Sequence, residues 1–323
     1  MKAVVVERYG PPEVLRLTEV AKPVPGDNEI LVRVRATTVN SGDARVRALR
    51  VPRGLGLPSR LRLGILRPRQ PVLGFELAGE IETVGGSVTS YAPGDRVIGS
   101  AGFAFGCHAE YRCLADDAAI ARIPERLSFE EAVSLCFGGA TAAYFLRRGE
   151  LERGESLLIN GASGAVGTMA VQLAKHLGAE VTGVCSTANL DLVTSLGANH
   201  VIDYTAEDFS RNGATYDVIM DTVGNVPFAR ARASLTSNGR LLMVVGNLPQ
   251  LLRAGFQRRV VSAAAKDSEV ITAGVYRFLL DLATAGEIRP VIDRTYPLER
   301  ISDAHAYVDT GRKRGSVVIT VGT

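Results

Sequence analysis

The stretch of this 323-residue chain whose residue types and spacing point most directly to chemistry is Gly161-Ala162-Ser163-Gly164-Ala165-Val166-Gly167. It follows an apolar run, Leu157-Leu158-Ile159, that reads as a buried parallel strand, and it opens the amphipathic stretch 169–175, which reads as a helix. Strand, tight glycine turn and helix are the opening of a dinucleotide-binding unit. Gly164 lets the backbone approach a pyrophosphate, and Gly167 lets the helix pack close on the strand. The backbone N–H groups of Gly161, Ser163, Gly164, Ala165 and Val166 are the expected anion cradle, helped by the positive end of the helix. Ala162 stands where the usual G-x-G-x-x-G has its first glycine, so the match is a variant. The competing reading is a glycine turn that only packs a helix on a sheet.

A cofactor turn needs a sheet edge around it. From Ser156 onward strands and helices alternate, with strands expected at Ser156–Asn160, Glu180–Cys185, His200–Ile202, Asp217–Met220 and Arg240–Val245. Alternating β and α units imply a parallel, doubly wound sheet. Ligands bind at the carboxyl edge of such sheets. That edge should carry Ser186 and Thr187 after the second strand, Thr222 and Val223 after the fourth, and Gly246 after the fifth. An NAD enzyme places Asp or Glu about 20 residues after the glycine turn. The segment Val184-Cys185-Ser186-Thr187-Ala188-Asn189 has none. Ser186 and Thr187 are expected to hydrogen-bond a 2′-phosphate, which favours NADPH, with NADH as the second candidate.

The first ~125 residues read differently. Short apolar or alternating runs at Ala3–Val6, Glu29–Val39, Gly74–Val84, Asp95–Ile98 and Ala109–Cys113 are separated by Pro and Gly turns, which suggests an antiparallel, barrel-like domain. No helical period shows before residue 128. Ser128 with Glu131 makes a capping box, and Thr205 with Asp208 gives a second cap signal. Strands at Val291–Tyr296 and Ser316–Val321, around a short helix at Ile301–Asp309, suggest that the tail returns to the first domain. The expected organisation is therefore a β-domain at 1–125, completed by 288–323, and a cofactor domain at 126–287. Arg312-Lys313-Arg314 is expected to end a helix and complement its negative end.

Composition sets limits. Hydrophobic residues make up 46% and charged residues 22%, with a net charge of +3, ordinary for a globular chain and too mild to imply nucleic acid. Four Cys do not make a disulfide framework and fit a reducing compartment. No stretch of about 20 solidly apolar residues exists, and the run before Glu7 is too short for a signal peptide, so the expectation is a cytoplasmic protein without a membrane span. The segment Arg45 to Arg69 holds eight Arg and no acid. It reads as a solvated loop or as a patch for an anionic substrate, cofactor phosphate or nucleic acid. It has no aromatic residue, so it offers no base stacking. Cys107, His108 and Cys113 lie close in sequence, but three groups do not close a tetrahedral zinc site.

The chain resembles the medium-chain dehydrogenase/reductase superfamily, in its zinc-free, quinone-oxidoreductase-like branch. The marks are Val39-Asn40-Ser41-Gly42-Asp43, Leu73-Gly74-Phe75-Glu76-Leu77-Ala78-Gly79, Pro93-Gly94-Asp95-Arg96-Val97, the glycine turn, and Leu196-Gly197-Ala198. The resemblance implies a GroES-like β-barrel catalytic domain, a Rossmann cofactor domain and a cleft between them. It implies NADPH-dependent reduction of a small-molecule quinone or α,β-unsaturated carbonyl. It places Thr141 beneath the nicotinamide, Tyr204 facing the adenosine phosphate, and Asn40 as the candidate polar group beside the reacting atoms. Helix capping by Thr141 and edge packing by Tyr204 are the competing roles. Relatives also pair as homodimers, which would involve the apolar run Val260–Ala265.

Zinc-dependent members need a Cys, a His and a further Cys or Glu, where this chain has Asn40, Phe75 and Phe137. Phe cannot ligate a metal. The expectation is thus no zinc. Without a Lewis acid an ordinary aldehyde is hard to reduce. A quinone or enone spreads the incoming negative charge by its own conjugation. The protein must then mainly position donor and acceptor. Two other functions are consistent with these residues: an alkene or enoyl reductase for a dedicated metabolite or acyl thioester, and a non-catalytic, NADPH-binding regulatory or nucleic-acid-binding protein.

Overall fold

The computed structural model describes residues 1–254, 259–262 and 271–322. The chain divides into two compact units, one of Met1–Val51, Leu55–Phe137 and Ile271–Thr323, the other of Pro52–Gly54 and Gly138–Val270. The division falls within a helix, later than residue 125, and the chain returns to the first unit earlier than residue 288.

The first unit is built on β-strands. A hairpin-like pair, β1 (Lys2–Val6) and β2 (Leu15–Glu19), is antiparallel. The main sheet has the order β14-β15-β3-β4-β5-β7, with β6 also on β3; these are β3 (Glu29–Thr38), β4 (Glu76–Val84), β5 (Arg96–Ser100), β6 (Tyr111–Ala115), β7 (Ile120–Arg122), β14 (Ile292–Pro297) and β15 (Ser316–Thr320). The tail does return to this sheet, with Val318 opposite Thr38. Ile30, Val32 and Val34 of β3 point into a core shared with Leu77, Ile81 and Val317, each ~1.5–3 kcal/mol of apolar burial.

Two helices lie where no helical period was expected: α1 (Ser41–Ala48) and α2 (Gly56–Leu63). α1 starts on a signal that periodicity does not see, the capping box Asn40-x-x-Asp43. α2 has Leu57 and Leu61 one turn apart, but none of its residues is buried. The Ser128–Glu131 box is present at the start of α3 (Phe129–Arg148), with reciprocal bonds of 2.8 and 3.1 Å.

The second unit is a six-stranded, all-parallel sheet in the order β10-β9-β8-β11-β12-β13. Its strands are β8 (Ser156–Asn160), β9 (Glu180–Cys185), β10 (His200–Asp203), β11 (Tyr216–Asp221), β12 (Leu235–Met243) and β13 (Val260–Ser262). Renumbered within the unit, this is the doubly wound order 3-2-1-4-5-6. Leu157, Leu158 and Ile159 are fully buried, as the uninterrupted apolar run requires. β12 begins earlier than Arg240. The run expected to mediate dimer contacts starts inside β13, which pairs with β12; Ala263, Ala264 and Ala265 lie outside the described residues.

Two local expectations are corrected. Thr205 does not cap: its N–H and hydroxyl go to Asp203, and Asp208 caps the turn at Phe209–Arg211 alone. The helix Ile301–Asp309 ends before Arg312-Lys313-Arg314, and Lys313 instead donates to the Gly315 carbonyl at 2.7 Å. No helix among the described residues is long and apolar enough to cross a membrane.

Candidate active site

The carboxyl edge of the parallel sheet gathers residues from five strands. Gly161 leaves β8 with φ +85°, a conformation that strains a side chain; a Cβ there would also meet Thr222 Oγ1 at 2.5 Å and Val223 Cγ2 at 2.7 Å. The N–H of Gly161 bonds Val184 O at 3.1 Å, and that of Gly164 bonds Gly161 O at 3.2 Å. The N–H groups of these two glycines are thus engaged within the turn itself.

The free donors come next along the chain. The first helical bond of α4 (Ala165–His176) runs from Thr168 N to Gly164 O. The N–H groups of Ala165, Val166 and Gly167 precede it and have no helical acceptor. Gly164, the N-cap, has no side-chain cap, and a Cβ there would find only Gly161 O at 3.6 Å. Gly167 is the reverse: a Cβ would meet Gly161 O at 2.1 Å, so this glycine is a packing residue. Gly138 of α3 meets the start of α4 in the same way, with Ala165 O 2.3 Å from its Cβ position. Thr141 lies one turn further along α3 and inside the helix, so it is not a cap.

Side chains brace this edge. Asn160 Nδ2 donates to Asp221 Oδ1 and to Asn225 Oδ1, both at 2.8 Å. The buried Asp221 carboxylate accepts the N–H groups of Val223, Gly224 and Val226 at 2.9–3.1 Å. Thr222 Oγ1 donates to Asn160 O at 2.8 Å. One carboxylate thus fixes the loop that carries Thr222 and Val223. Gly246 follows β12 on the same edge, and Tyr204 follows β10 with 63% of its surface exposed.

Asn189 was passed over in the sequence because it is not cationic. Its Nδ2 donates to Ser163 Oγ at 3.1 Å and to Ser186 Oγ at 3.2 Å, tying the glycine turn to the end of β9. Thr187 has a partner on the neighbouring strand. Its hydroxyl donates to Asp203 Oδ2 and lies 3.3 Å from Thr205 Oγ1, so in this structure its one proton is directed to Asp203. An acid is therefore present at this end of the site, supplied by β10 rather than β9.

The first unit places the other expected residues together. Asn40 caps α1, its Oδ1 accepting Gly42 N at 2.7 Å and Asp43 N at 3.1 Å, while Asp43 Oδ2 accepts Asn40 N at 2.9 Å. Asn40 Nδ2 is buried and makes no hydrogen bond. A Cβ on Gly42 would touch both Asn40 Oδ1 and the Phe75 ring. Phe75 stands 4.8 Å from Phe105, 5.7 Å from Phe103 and 6.5 Å from Phe137, centroid to centroid. Aromatic edges and faces pack together around Phe75. Among the described residues no group of three His, Cys, Asp or Glu is arranged to hold a metal ion. Cys107 and His108 are fully buried, and His108 Nε2 lies 3.0 Å from Thr38 O.

Two buried acids adjoin this cluster. Burial pushes the Asp43 carboxyl up to about 7, against the pull of the Asn40 and Gly74 backbone. Burial pushes Glu76 up to about 8, opposed by the Thr38 hydroxyl that donates to it and reinforced by Asp43. The Arg-rich segment splits in function. Arg47 is fully buried and pairs with Asp309 at 2.6 Å, and Arg50 pairs with the other oxygen of Asp309. α2 and the loop after it leave Leu57, Leu61, Ile65 and Leu66 exposed.

Family comparison agrees with this architecture. Residues 26–146 match the alcohol dehydrogenase GroES-like domain, and residues 196–319 match a zinc-binding dehydrogenase model. The chain is 32% identical to the quinone oxidoreductase of Pongo abelii, over 96% of this chain and 94% of that one. It is 31% identical to the 2-methylene-furan-3-one reductase of Solanum lycopersicum, over 99% and 79%. The Escherichia coli quinone oxidoreductase solved with NADPH superposes with a TM-score of 0.83 at 26% identity, covering 99% of this chain and 100% of that one. With a GroES-like sheet unit, a doubly wound cofactor unit and relatives matched along nearly its whole length, the chain belongs to the quinone-oxidoreductase-like branch of the medium-chain dehydrogenase/reductase superfamily.

Proposed function

We propose that this protein is an NADPH-dependent oxidoreductase that reduces quinones or α,β-unsaturated carbonyls without a metal. The carrying observation is the carboxyl edge of the parallel sheet, where α4 offers unpaired N–H groups beside a glycine with open space. The residues fit a dinucleotide. Ala165 and Val166 would hold the pyrophosphate, Gly164 would admit it, and Gly161, Ser163 and Gly167 would keep the turn in shape. Ser186 and Tyr204 would meet the adenosine end, and Thr141, Thr222, Val223 and Gly246 the nicotinamide ribose end.

When bound, the coenzyme supplies a hydride. The rest of the work falls to positioning and to the acceptor's own conjugation. Phe75 and its aromatic neighbours, set edge to face, give an apolar wall suited to a conjugated ring. Asn40 Nδ2 is a buried donor left unused, and it is suited to an oxygen on which negative charge grows. Its oxygen is held by the helix cap, so the amide cannot turn its acceptor end instead. The relatives' names support the substrate class, and the E. coli neighbour's bound coenzyme supports NADPH. The reading extends to a cytoplasmic homodimer, tested by fractionation and by solution mass.

Coenzyme oxidation, followed at the nicotinamide absorbance band with a benzoquinone, a naphthoquinone, a linear enone and a simple aldehyde, tests the activity. Turnover of a quinone or enone that survives a chelator is expected. Chelator-sensitive aldehyde reduction would overturn the metal argument. Silence with every acceptor, coenzyme binding intact, would overturn the substrate class.

A further inference from the structure

The adenosine end of the site carries a feature that neither strand shows alone. Asp203, the last residue of β10, sits opposite Cys185, the last residue of β9. Its Oδ2 accepts the Thr187 hydroxyl proton, and its Oδ1 accepts Thr205 N at 2.9 Å and Thr205 Oγ1 at 2.7 Å. These bonds, that of Thr187 first, hold the Asp203 carboxyl below the usual carboxylate range, so it is ionised at neutral pH. A hydroxyl has one proton to give. With that proton on Asp203, Thr187 has only acceptor capacity left to offer a ligand.

The neighbouring groups do not compensate. Ser186 Oγ accepts from Asn189 Nδ2, which leaves the Ser186 proton available as one neutral donor. No Lys or Arg occurs between Ser186 and Leu190. A 2′-phosphate is acceptor-only and carries close to two negative charges near neutral pH. It would meet a fixed carboxylate and an acceptor hydroxyl. A free 2′-hydroxyl can donate to Thr187 and accept from Ser186, and it pairs with both.

We propose that Asp203 is a coenzyme-specificity residue: by holding Thr187 as an acceptor and placing a negative charge beside the ribose, it narrows the preference for NADPH over NADH. The proposal rests on reading the sheet edge as the coenzyme site. It makes NADH a working donor for this chain and identifies one side chain that limits discrimination.

The test is the dissociation constant of NADPH and of NADH for the wild type, Asp203→Asn and Ser186→Ala, read by nicotinamide fluorescence at low and high salt. Adenosine 2′,5′-bisphosphate and AMP serve as competitors that isolate the ribose end. Asp203→Asn is expected to raise the NADPH:NADH affinity ratio roughly fivefold, the size of one screened like-charge contact. Most of the change should come from NADPH and from the bisphosphate, with AMP little altered. The gap between wild type and Asp203→Asn should shrink at high salt, because the Debye length falls. A merely structural role would move both coenzymes together and would ignore salt. Ser186→Ala is expected to lower the ratio. A ratio unchanged in Asp203→Asn, with both coenzymes bound, would overturn this assignment alone. A wild type that binds neither coenzyme would overturn the coenzyme site and this assignment with it.

Discussion

Two glycines three residues apart in the same turn should fail in opposite ways. At Gly167 an added Cβ would stand 2.1 Å from Gly161 O and 2.7 Å from the Ala162 backbone, against about 3.5–4.0 Å for relaxed carbon contacts. Both obstacles are main chain at the end of β8 and cannot rotate away. Gly167→Ala must push α4 off the strand by about 1 Å or more, an overpacking cost of about 3 kcal/mol. For a protein of this size that is a fall in Tm of roughly 6–12 °C. Gly164 has φ −80° and ψ 176°, which any residue adopts, and its nearest obstacle is 3.6 Å away. Gly164→Ala should cost about 0.5 kcal/mol as a poorer N-cap. Its methyl group would stand in the approach of the pyrophosphate and should weaken NADPH about tenfold or more, ~1.4 kcal/mol. Differential scanning calorimetry and nicotinamide fluorescence on both variants separate the effects. A Gly167→Ala protein that melts with the wild type would refute the packing argument. Undiminished NADPH affinity in Gly164→Ala would refute the placement of the pyrophosphate.

Other expectations follow from the first unit. The folded carboxyl of Glu76 lies at about 8, above its unfolded value near 4.5, so its contribution is complete below the unfolded value and is lost as pH rises toward 8. Urea unfolding of Glu76→Gln should lose that decline, with a slope difference from wild type approaching ~1.4 kcal/mol per pH unit between pH 5 and 8; parallel curves would sink the assignment. His108 runs the other way: burial lowers it to about 4, so stability present above pH 6.5 drains as pH falls toward 4, and His108→Gln should flatten that acid limb. Asn40→Ser keeps a helix cap and should stay within about 0.5 kcal/mol of wild type, while Asn40→Ala should lose about 1 kcal/mol. Both should lower kcat/KM for quinone about tenfold if the amide steadies the acceptor oxygen. Full activity in Asn40→Ser would leave Asn40 as a cap and nothing more.

The parallel sheet was legible because its strands are buried on both faces and so read as continuous apolar runs between glycine turns; β8 and β9 fall where the sequence puts them. The glycine turn was legible because backbone geometry restricts residue type there. α1 was missed although its capping box is written in Asn40 and Asp43, since periodicity alone does not register an eight-residue helix with few apolar positions. α2 offered only the pair Leu57 and Leu61 one turn apart, with Pro58 and Arg60 between them. The domain limits were displaced because α3 is one continuous helix, and a change of partner along a helix leaves no break in its sequence.

The sequence by itself determined the fold class, the cofactor turn and the absence of metal-ligating side chains at Asn40, Phe75 and Phe137, because each depends on residue type and local spacing. Which donors in the turn are free, and which groups pair at the ends of β9 and β10, only the tertiary structure decided. Gly161 N–H is consumed by Val184, Asn189 bridges Ser163 to Ser186, and Asp203 takes the proton of Thr187. The physical reason is that a hydrogen bond is spent between partners that the fold brings together from adjacent strands. A carboxylate 16 residues further along the chain is invisible to a rule that looks for an acid at the end of one strand, yet parallel pairing sets it beside that end.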